Sequence, residues 1–210
     1  MFGIVNFEAF LLAGVLLNIT PGTDTMYILG RSMSLGKKAG ILSALGIASG
    51  ALVHCVFAAL GLSLILTKSA LAFEVVKYLG TAYLIFLGTK MLISRSNEKF
   101  ELSKKQENIN YRNIYISGIF TNALNPKVAL FFLAFLPQFI NPCYAQNALP
   151  FLILGLTFVI TGTIWCLMLA VFSSKLSSQI SKNYKIKKRL DKITGVVCIT
   201  LGIKLALSKR

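Results

Sequence analysis

The chain has 210 residues, of which 55% are hydrophobic and only 14% are charged, and its mean hydropathy is +0.71. A water-soluble domain needs more surface charge than this, so the composition indicates a membrane protein. The net charge of +15 could indicate nucleic-acid binding, but most of the 22 lysines and arginines fall in three clusters separated by apolar runs. The clusters cover 31–38, 90–112 and 175–192. The positive-inside rule produces such alternation, so we expect cytoplasmic clusters and no nucleic-acid partner.

Six apolar segments follow one another along the chain, and crossing a bilayer takes roughly 20 helical residues. They cover residues 5–30, 39–66, 71–93, 113–140, 148–173 and 190–208. The last is the weakest, since Lys204 interrupts it, although a lysine near a helix end can extend its amine to the interface. With the basic clusters inside, an even number of spans places both termini outside. The sequence therefore predicts an all-α, polytopic membrane protein with six transmembrane helices.

The first segment contains a helix-breaking stretch, "NITPGTD". Pro21 lacks a backbone donor and clashes with the preceding turn, and Gly22 makes a bend easier. The carbonyl groups freed one turn earlier need partners, because lipid offers none. Asn18, Thr20, water or a ligand can supply them. Asp24 lies beside this break, and a carboxylate at membrane depth should face protein or water rather than lipid.

Three ionisable residues within the segments are candidates for function. Asp24 is interpreted as a counter-ion for a substrate amine or a proton carrier, with pairing to Arg31 or Lys127 as the structural alternative. Lys127 is the only charged residue within 113–174, and it either pairs with Asp24 or presents a cation to a substrate carboxylate. His54, the only histidine, is expected to be a hydrogen-bonded packing residue, with a proton relay as the alternative.

The two halves of the chain resemble each other. The first segment contains "GVLLNITP" and the fourth contains "GIFTNALNP", so Asn122, Asn125 and Pro126 repeat the chemistry of the first break. The third and sixth segments share KxxG followed by GxKxxxS. Three spans per copy is an odd number, so the second copy must have the opposite orientation, as in many secondary transporters. We predict a single membrane domain, 1–210, with inverted repeats at about 5–93 and 113–210 and a cytoplasmic linker at about 94–112.

The sequence gives no indication of enzyme activity, a cofactor or a bound metal. It contains no GxSxG, HExxH, CxxC or P-loop pattern. A metal-cation transporter would need several oxygen ligands, and only Asp24 lies deep in the segments. A membrane-embedded thiol oxidoreductase would have to use Cys55 and Cys166, and a scaffold without transport is a third alternative. Gly46 and Gly50 form GxxxG, which allows a close helix crossing. A homo-oligomer is compatible with this motif.

Several long motifs, in order along nearly the whole chain, resemble the lysine exporter (LysE/RhtB-type) translocators. "NITPGTD" is similar to the family's N-x-TPGPD, and "GIFTNALNPKVALFFLAFLPQF" is the most specific match. The resemblance implies a six-helix exporter of amino acids or their derivatives in the bacterial inner membrane, and the partners it implies are the amino acid, protons and lipid. The resemblance is closest to the branch that exports homoserine, threonine and homoserine lactone. If the basic clusters are cytoplasmic, a location in the inner membrane implies a periplasmic N-terminus.

Carried over by position, the resemblance assigns the substrate or ion pathway to the residues of the two motifs. With Thr20 they are Asn18, Pro21, Gly22, Asp24, Asn122, Asn125, Pro126 and Lys127. Thr23 departs from the pattern, because the family has a second proline there. We therefore expect a milder helix break and an added hydroxyl beside Asp24, with consequences for substrate identity.

Overall fold

The computed structural model describes residues 2–62 and 109–173 continuously, together with single helical positions within 74–93 and 192–207. The predicted third and sixth spans are thus described only at single positions, and most of the predicted linker at 94–112 lies outside the described residues. The described parts are helical, and their only β-type pairing is an isolated bridge between Ile4 and Ile140. The all-α prediction is confirmed for these residues.

Six α-helices make up the continuously described parts. They are α1 (Phe7–Ile19), α2 (Thr23–Leu35), α3 (Lys37–Phe57), α4 (Tyr111–Ala123), α5 (Pro126–Leu130) and α6 (Ala148–Val171). A π-helical turn at Ala58–Leu62 extends α3. A π-helical turn at Phe131–Phe135 and a 3₁₀ turn at Leu136–Phe139 extend α5. A further 3₁₀ turn, Pro142–Tyr144, precedes α6.

Two helices of the described chain are long and apolar enough to cross a membrane. They are Lys37–Gly61, with 25 residues, and Ala148–Val171, with 24. A third span is formed if Tyr111–Ala123 and Pro126–Phe139, which meet at 46°, are taken together. These three agree with the predicted segments at 39–66, 148–173 and 113–140 within a few residues.

The first predicted segment, 5–30, is two helices rather than one. α1 ends at Ile19, α2 begins at Thr23, and Pro21 and Gly22 lie between them. The second helix also continues beyond the predicted limit, to Leu35. It ends there because Gly36 has φ +89°, a left-handed conformation that glycine adopts easily.

The second break lies at the matching place in the fourth segment. α4 ends at Ala123, and Pro126 is the first residue of α5, a position where its missing N–H costs nothing. Asn125 caps α5, because its Oδ1 accepts a hydrogen bond of 3.0 Å from the backbone N–H of Lys127. The sequence therefore located both breaks correctly.

Glycines bring α3 and α4 into close contact. A Cβ added to Gly50 would lie 2.6 Å from the carbonyl oxygen of Ile119, and one added to Gly118 would lie 2.9 Å from that of Ser43. Gly46 similarly faces the Tyr115 carbonyl. The close crossing predicted from GxxxG is confirmed, and its partner is a helix of the same chain.

Two apolar clusters of buried side chains each include residues of α3 and α6. The larger contains aromatic side chains from α1, the α5 extension and α6, with the Phe131 and Phe158 rings stacked at 4.1 Å between centroids. The smaller cluster joins α2, α3 and α6 through buried side chains such as Ile28 and Leu169. The larger cluster includes Leu17 and Val128, which flank the first and the second break, so polar groups at the breaks have apolar neighbours.

We predict that Gly46→Ala, Gly50→Ala and Gly118→Ala each destabilise the protein by about 1–3 kcal/mol, because a methyl group would separate α3 from α4. At about 2–4 °C per kcal/mol for a chain of this size, the melting temperature in detergent should fall measurably. Gly61→Ala is the matched control, since a Cβ there meets nothing within 4 Å. Equal melting temperatures for all four variants would contradict the close crossing.

Candidate functional site

A small cavity lies where the two helix breaks meet α3 and α6. Its volume is about 40 Å³. The described residues that line it are Asn18, Gly22, Asp24, Thr25, Ile47, Ala48, Ala51, Asn122, Lys127, Val128, Phe158, Val159, Gly162, Thr163 and Cys166. One buried water occupies roughly 10–15 Å³ of such a cavity, so this cavity has room for a few waters and is too small for an amino acid. In this conformation the site is closed.

Lys127 satisfies the backbone that Pro21 disrupts. Proline has no N–H to offer the carbonyl four residues earlier, which is that of Leu17. The Nζ of Lys127 donates to this oxygen at 2.9 Å and to the Thr20 carbonyl at 3.0 Å. A positive charge at the C-terminus of α1 also interacts favourably with the helix dipole. Lys127, which lies beside the second break, therefore caps α1, the helix that ends at the first break.

Asp24 makes the reciprocal connection. Its Oδ2 accepts hydrogen bonds from Asn122 Nδ2 at 2.9 Å and from Asn125 Nδ2 at 3.1 Å. The carboxylate lies in the first turn of α2, where the helix dipole favours negative charge, and the positive charge of Lys127 acts on it as well. Asp24, which lies beside the first break, is thus bound by the side-chain amides of Asn122 and Asn125 at the second break.

His54 and the backbone N–H of Asn125, which donates at 2.9 Å, together satisfy the carbonyl that Pro126 deprives of its helical partner. The carbonyl four residues before Pro126 is that of Asn122, and His54 Nε2 lies 3.1 Å from its oxygen. Because a carbonyl only accepts, Nε2 must carry the proton, which fixes the tautomer of a neutral ring. The imidazole also stacks on Phe132 at 5.9 Å between centroids. This is the hydrogen-bonded packing role that the sequence favoured, and it places His54 at the second break.

Asn18 joins the first break to α6. Its Nδ2 donates to the Phe158 carbonyl and to Thr161 Oγ1, both at 3.3 Å. Gly162 allows this approach, since a Cβ there would lie 3.0 Å from Asn18 Oδ1. The polar site is therefore attached to the long, otherwise apolar α6.

The predicted pathway residues divide into two groups. Those that line the cavity are Asn18, Gly22, Asp24, Asn122 and Lys127. Those that are not among its described lining residues are Thr20, Pro21, Thr23, His54, Asn125 and Pro126.

Thr20 and Asn125 are almost fully buried and support the backbone at the breaks. Thr20 donates its hydroxyl to the Leu16 carbonyl at 2.7 Å. Thr23 is exposed at the first position of α2, where a proline would also fit, so the departure from the family pattern adds no hydroxyl to the cavity wall.

Sequence reasoning missed the contributions of α3 and α6 to the cavity. Ala48 and Ala51 come from α3, and Gly162 and Thr163 come from α6. A usable signal was present in "TGT" at 161–163, because polar and small residues in a membrane-length helix usually face other helices. Cys55 and Cys166, the pair required by the thiol oxidoreductase alternative, are free and belong to different apolar clusters.

Comparison with known proteins decides the family. The sequence pattern of the LysE type translocator family matches residues 15–209. The chain belongs to this family. The translocator is also 34% identical over 209 residues to an uncharacterized membrane protein, YrhP, of Bacillus subtilis, covering 95% of this chain and 98% of that protein. It is 31% identical over 201 residues to the homoserine/homoserine lactone efflux proteins of Salmonella typhimurium and Salmonella typhi, covering 96% of each chain. No solved structure matches this translocator.

We predict that Lys127→Met destabilises the translocator by about 3 kcal/mol or more. The substitution removes the lysine donor from two buried carbonyl groups and removes the positive charge beside Asp24. Lys37→Met, at an exposed lysine, should leave the melting temperature unchanged. Adding Asp24→Asn to Lys127→Met should recover part of the loss, because the unpaired carboxylate is removed. A Lys127→Met protein as stable as Lys37→Met would rule out the capping role.

His54→Gln and His54→Leu separate the capping role of His54 from proton relay. Glutamine can donate a hydrogen bond to the Asn122 carbonyl, whereas leucine cannot. Because the backbone N–H of Asn125 still donates to that carbonyl, leucine should destabilise the protein by only about 0.5–1.5 kcal/mol. Transport by His54→Gln should keep the wild-type dependence on pH between about 5 and 8, the range in which a histidine titrates. Loss of that dependence in a stably folded His54→Gln protein would instead assign a relay role to His54.

Proposed function

We propose that this translocator is a secondary transporter of the bacterial inner membrane that exports amino acids or their derivatives, of the homoserine and threonine type or other neutral ones, in exchange for protons. The observation that supports this most strongly is the pair of broken helices joined by reciprocal charged contacts, with a small cavity between them that Asp24, Asn122 and Lys127 line. Secondary transporters bind their substrates at such breaks, where backbone irregularity is protected from lipid. The names of the two Salmonella relatives support efflux of amino acids and their lactones.

The proposed architecture is a single domain, 1–210, of six spans in two inverted repeats, at about 5–93 and 113–210. Both breaks follow the same pattern: a helix ends, a proline removes the bond to the carbonyl four residues earlier, and an ionisable side chain from another helix donates to that carbonyl. This correspondence supports duplication with inversion. With the basic clusters inside, the N-terminus and the C-terminus are periplasmic, and 94–112 is a cytoplasmic linker.

Asp24 is the residue at which we propose that protons and substrate are exchanged. It is the only carboxylate among the described residues that line the cavity. A carboxylate that releases its proton to the cytoplasm becomes a binding group for a cationic part of the substrate, and protonation from the periplasm removes that attraction. Since one carboxylate serves both ligands, outward movement of the substrate is linked to inward movement of the proton.

Alternating access requires the contacts between the breaks to change. The cavity of about 40 Å³ must enlarge before an amino acid enters, and the bonds from Asn122 and Asn125 to Asp24 connect the elements that must separate. Substrate groups can replace these bonds within the enlarged cavity. Asn18, Thr20 and the two asparagines of the second break are the proposed hydrogen-bonding groups.

Efflux measured in vesicles tests the proposal. Right-side-out vesicles loaded with a panel of labelled neutral amino acids should release one or more of them faster than vesicles from cells with an empty vector. An inward proton gradient should increase the rate, and collapsing the gradient should abolish the increase. If no amino acid or derivative leaves faster than from the empty-vector vesicles, the proposed function is wrong.

Asp24→Asn tests the coupling role separately. An amide cannot carry the proton, so acceleration by the proton gradient should disappear, while the hydrogen bonds to one oxygen can be retained. Glu8→Gln is the matched control, because Glu8 is an exposed carboxylate of α1. Wild-type rates for Asp24→Asn at every pH between about 5 and 8 would refute the coupling role even if transport itself is found.

A further inference from the structure

Two buried oxygen atoms at the cavity accept no hydrogen bond from any described residue. They are Oδ1 of Asp24 and Oδ1 of Asn122. Both side chains line the cavity, and Asn122 is only 2% exposed. A buried acceptor without a donor costs free energy, so such atoms in a closed site indicate the place of a missing donor.

The orientation of the Asn122 amide follows from its partner. An ionised carboxylate accepts hydrogen bonds and donates none, so the NH₂ group of Asn122 must face Asp24 Oδ2, as the 2.9 Å bond requires. Its Oδ1 is therefore an acceptor and cannot be exchanged for the nitrogen by rotating the amide. The two unpaired atoms present negative charge and a carbonyl dipole, which together favour a ligand with several N–H donors.

The cation of the site is already engaged. Lys127 is the only cationic side chain among the described lining residues, and an ammonium has three donors. At least two of these donors bind the Leu17 and Thr20 carbonyls. Turning Lys127 toward a substrate carboxylate would leave both carbonyls of the broken helix without their donor. A substrate carboxylate therefore finds no cation among the described lining residues that is not already bound to the backbone.

We propose that the translocator recognises its substrate through a primary ammonium group, bound by Asp24 Oδ1 and Asn122 Oδ1, and that a free carboxylate is not required. The substrate class is then small primary amines with a compact polar body, including lactones, esters and amides of amino acids as well as the acids themselves. This inference rests on the proposed transport function, and it specifies which end of the substrate is bound.

The remaining walls are consistent with a compact substrate body. Ala48 and Ala51 of α3 and Gly162 of α6 offer short side chains or none, and Thr163 adds a hydroxyl. These walls contain no charge among the described residues. They suit a neutral lactone ring or a short hydroxylated side chain better than a second ionised group, which would lose its hydration without compensation.

Competition in proteoliposomes containing the purified full-length protein tests the inference. The flux of labelled L-homoserine is measured against unlabelled L-homoserine, L-homoserine lactone, L-homoserine amide and N-acetyl-L-homoserine. We expect the lactone and the amide to compete within about threefold of homoserine, and N-acetyl-L-homoserine, which keeps the carboxylate and loses the ammonium, to compete at least about tenfold less well.

Variants identify the oxygen atoms involved. Asn122→Ala should weaken competition by the amine-bearing compounds about tenfold and should narrow their advantage over N-acetyl-L-homoserine. Asn113→Ala is the matched control, since Asn113 is an exposed asparagine of the same helix. The competition among the four compounds is also measured with the wild-type protein. That result does not depend on the folding of any variant, so it tests the inference even if Asn122→Ala is unstable.

The outcomes separate this inference from the proposed function. Homoserine flux with a strong requirement for a free carboxylate would refute ammonium recognition and leave the transport function standing. Competition by Na⁺ alone, at equal osmotic strength, would refute it as well, by assigning the two oxygens to a metal cation. Absence of homoserine flux, together with no amino-acid efflux in the vesicle assay, would refute the transport function itself.

Discussion

The structure depends on one constraint: a carbonyl group that a proline deprives of its helical hydrogen bond must find another donor in apolar surroundings. Pro21 and Pro126 create this requirement at Leu17 and Asn122. In water the solvent would satisfy both groups. Here Lys127 donates to the first, and His54 and the backbone N–H of Asn125 donate to the second. Lys127, beside the second break, thereby links it to the first, and His54 links α3 to the second break.

This arrangement explains why charged residues occur beside helix breaks. A lysine amine among apolar helices is costly unless it has acceptors, and the end of α1 offers two carbonyl oxygens and the negative end of a helix dipole. Asp24 is stabilised at the start of α2 by the positive end of the helix dipole and by two amide donors. Charge and broken backbone therefore stabilise each other, and removing either would leave the other uncompensated.

The same contacts give the site its capacity to change. Rigid parts surround it: α3 and α4 are held together by close contacts at glycines, and the phenylalanine cluster packs α1 against the α5 extension and α6. Between these parts, the connections through Asp24, Lys127 and His54 are hydrogen bonds, which water or a ligand can replace one at a time. A transport cycle can therefore use the breaks as hinges while the packed helices remain intact.

The sequence alone determined the class of the protein, the position of most described helices and the location of both breaks. Apolar length and the distribution of basic residues are properties of composition, and a proline interrupts a helix wherever it occurs, so these predictions needed no tertiary information. Asp24 and Lys127, which the internal similarity placed at matching breaks, both line the cavity. The end of the second helix at Leu35, beyond the predicted limit of residue 30, depended on the local conformation at Gly36.

Only the tertiary structure decided which atoms meet. Local sequence cannot show that Lys127 binds backbone carbonyls more than 100 residues away, that His54 donates to Asn122, or that α6 provides a wall of the cavity. It also could not show that Thr23 is exposed and outside the described lining, since the direction of a side chain beside a helix break depends on how the two helices are placed. These relations come from packing between distant segments, which periodicity along the chain does not encode.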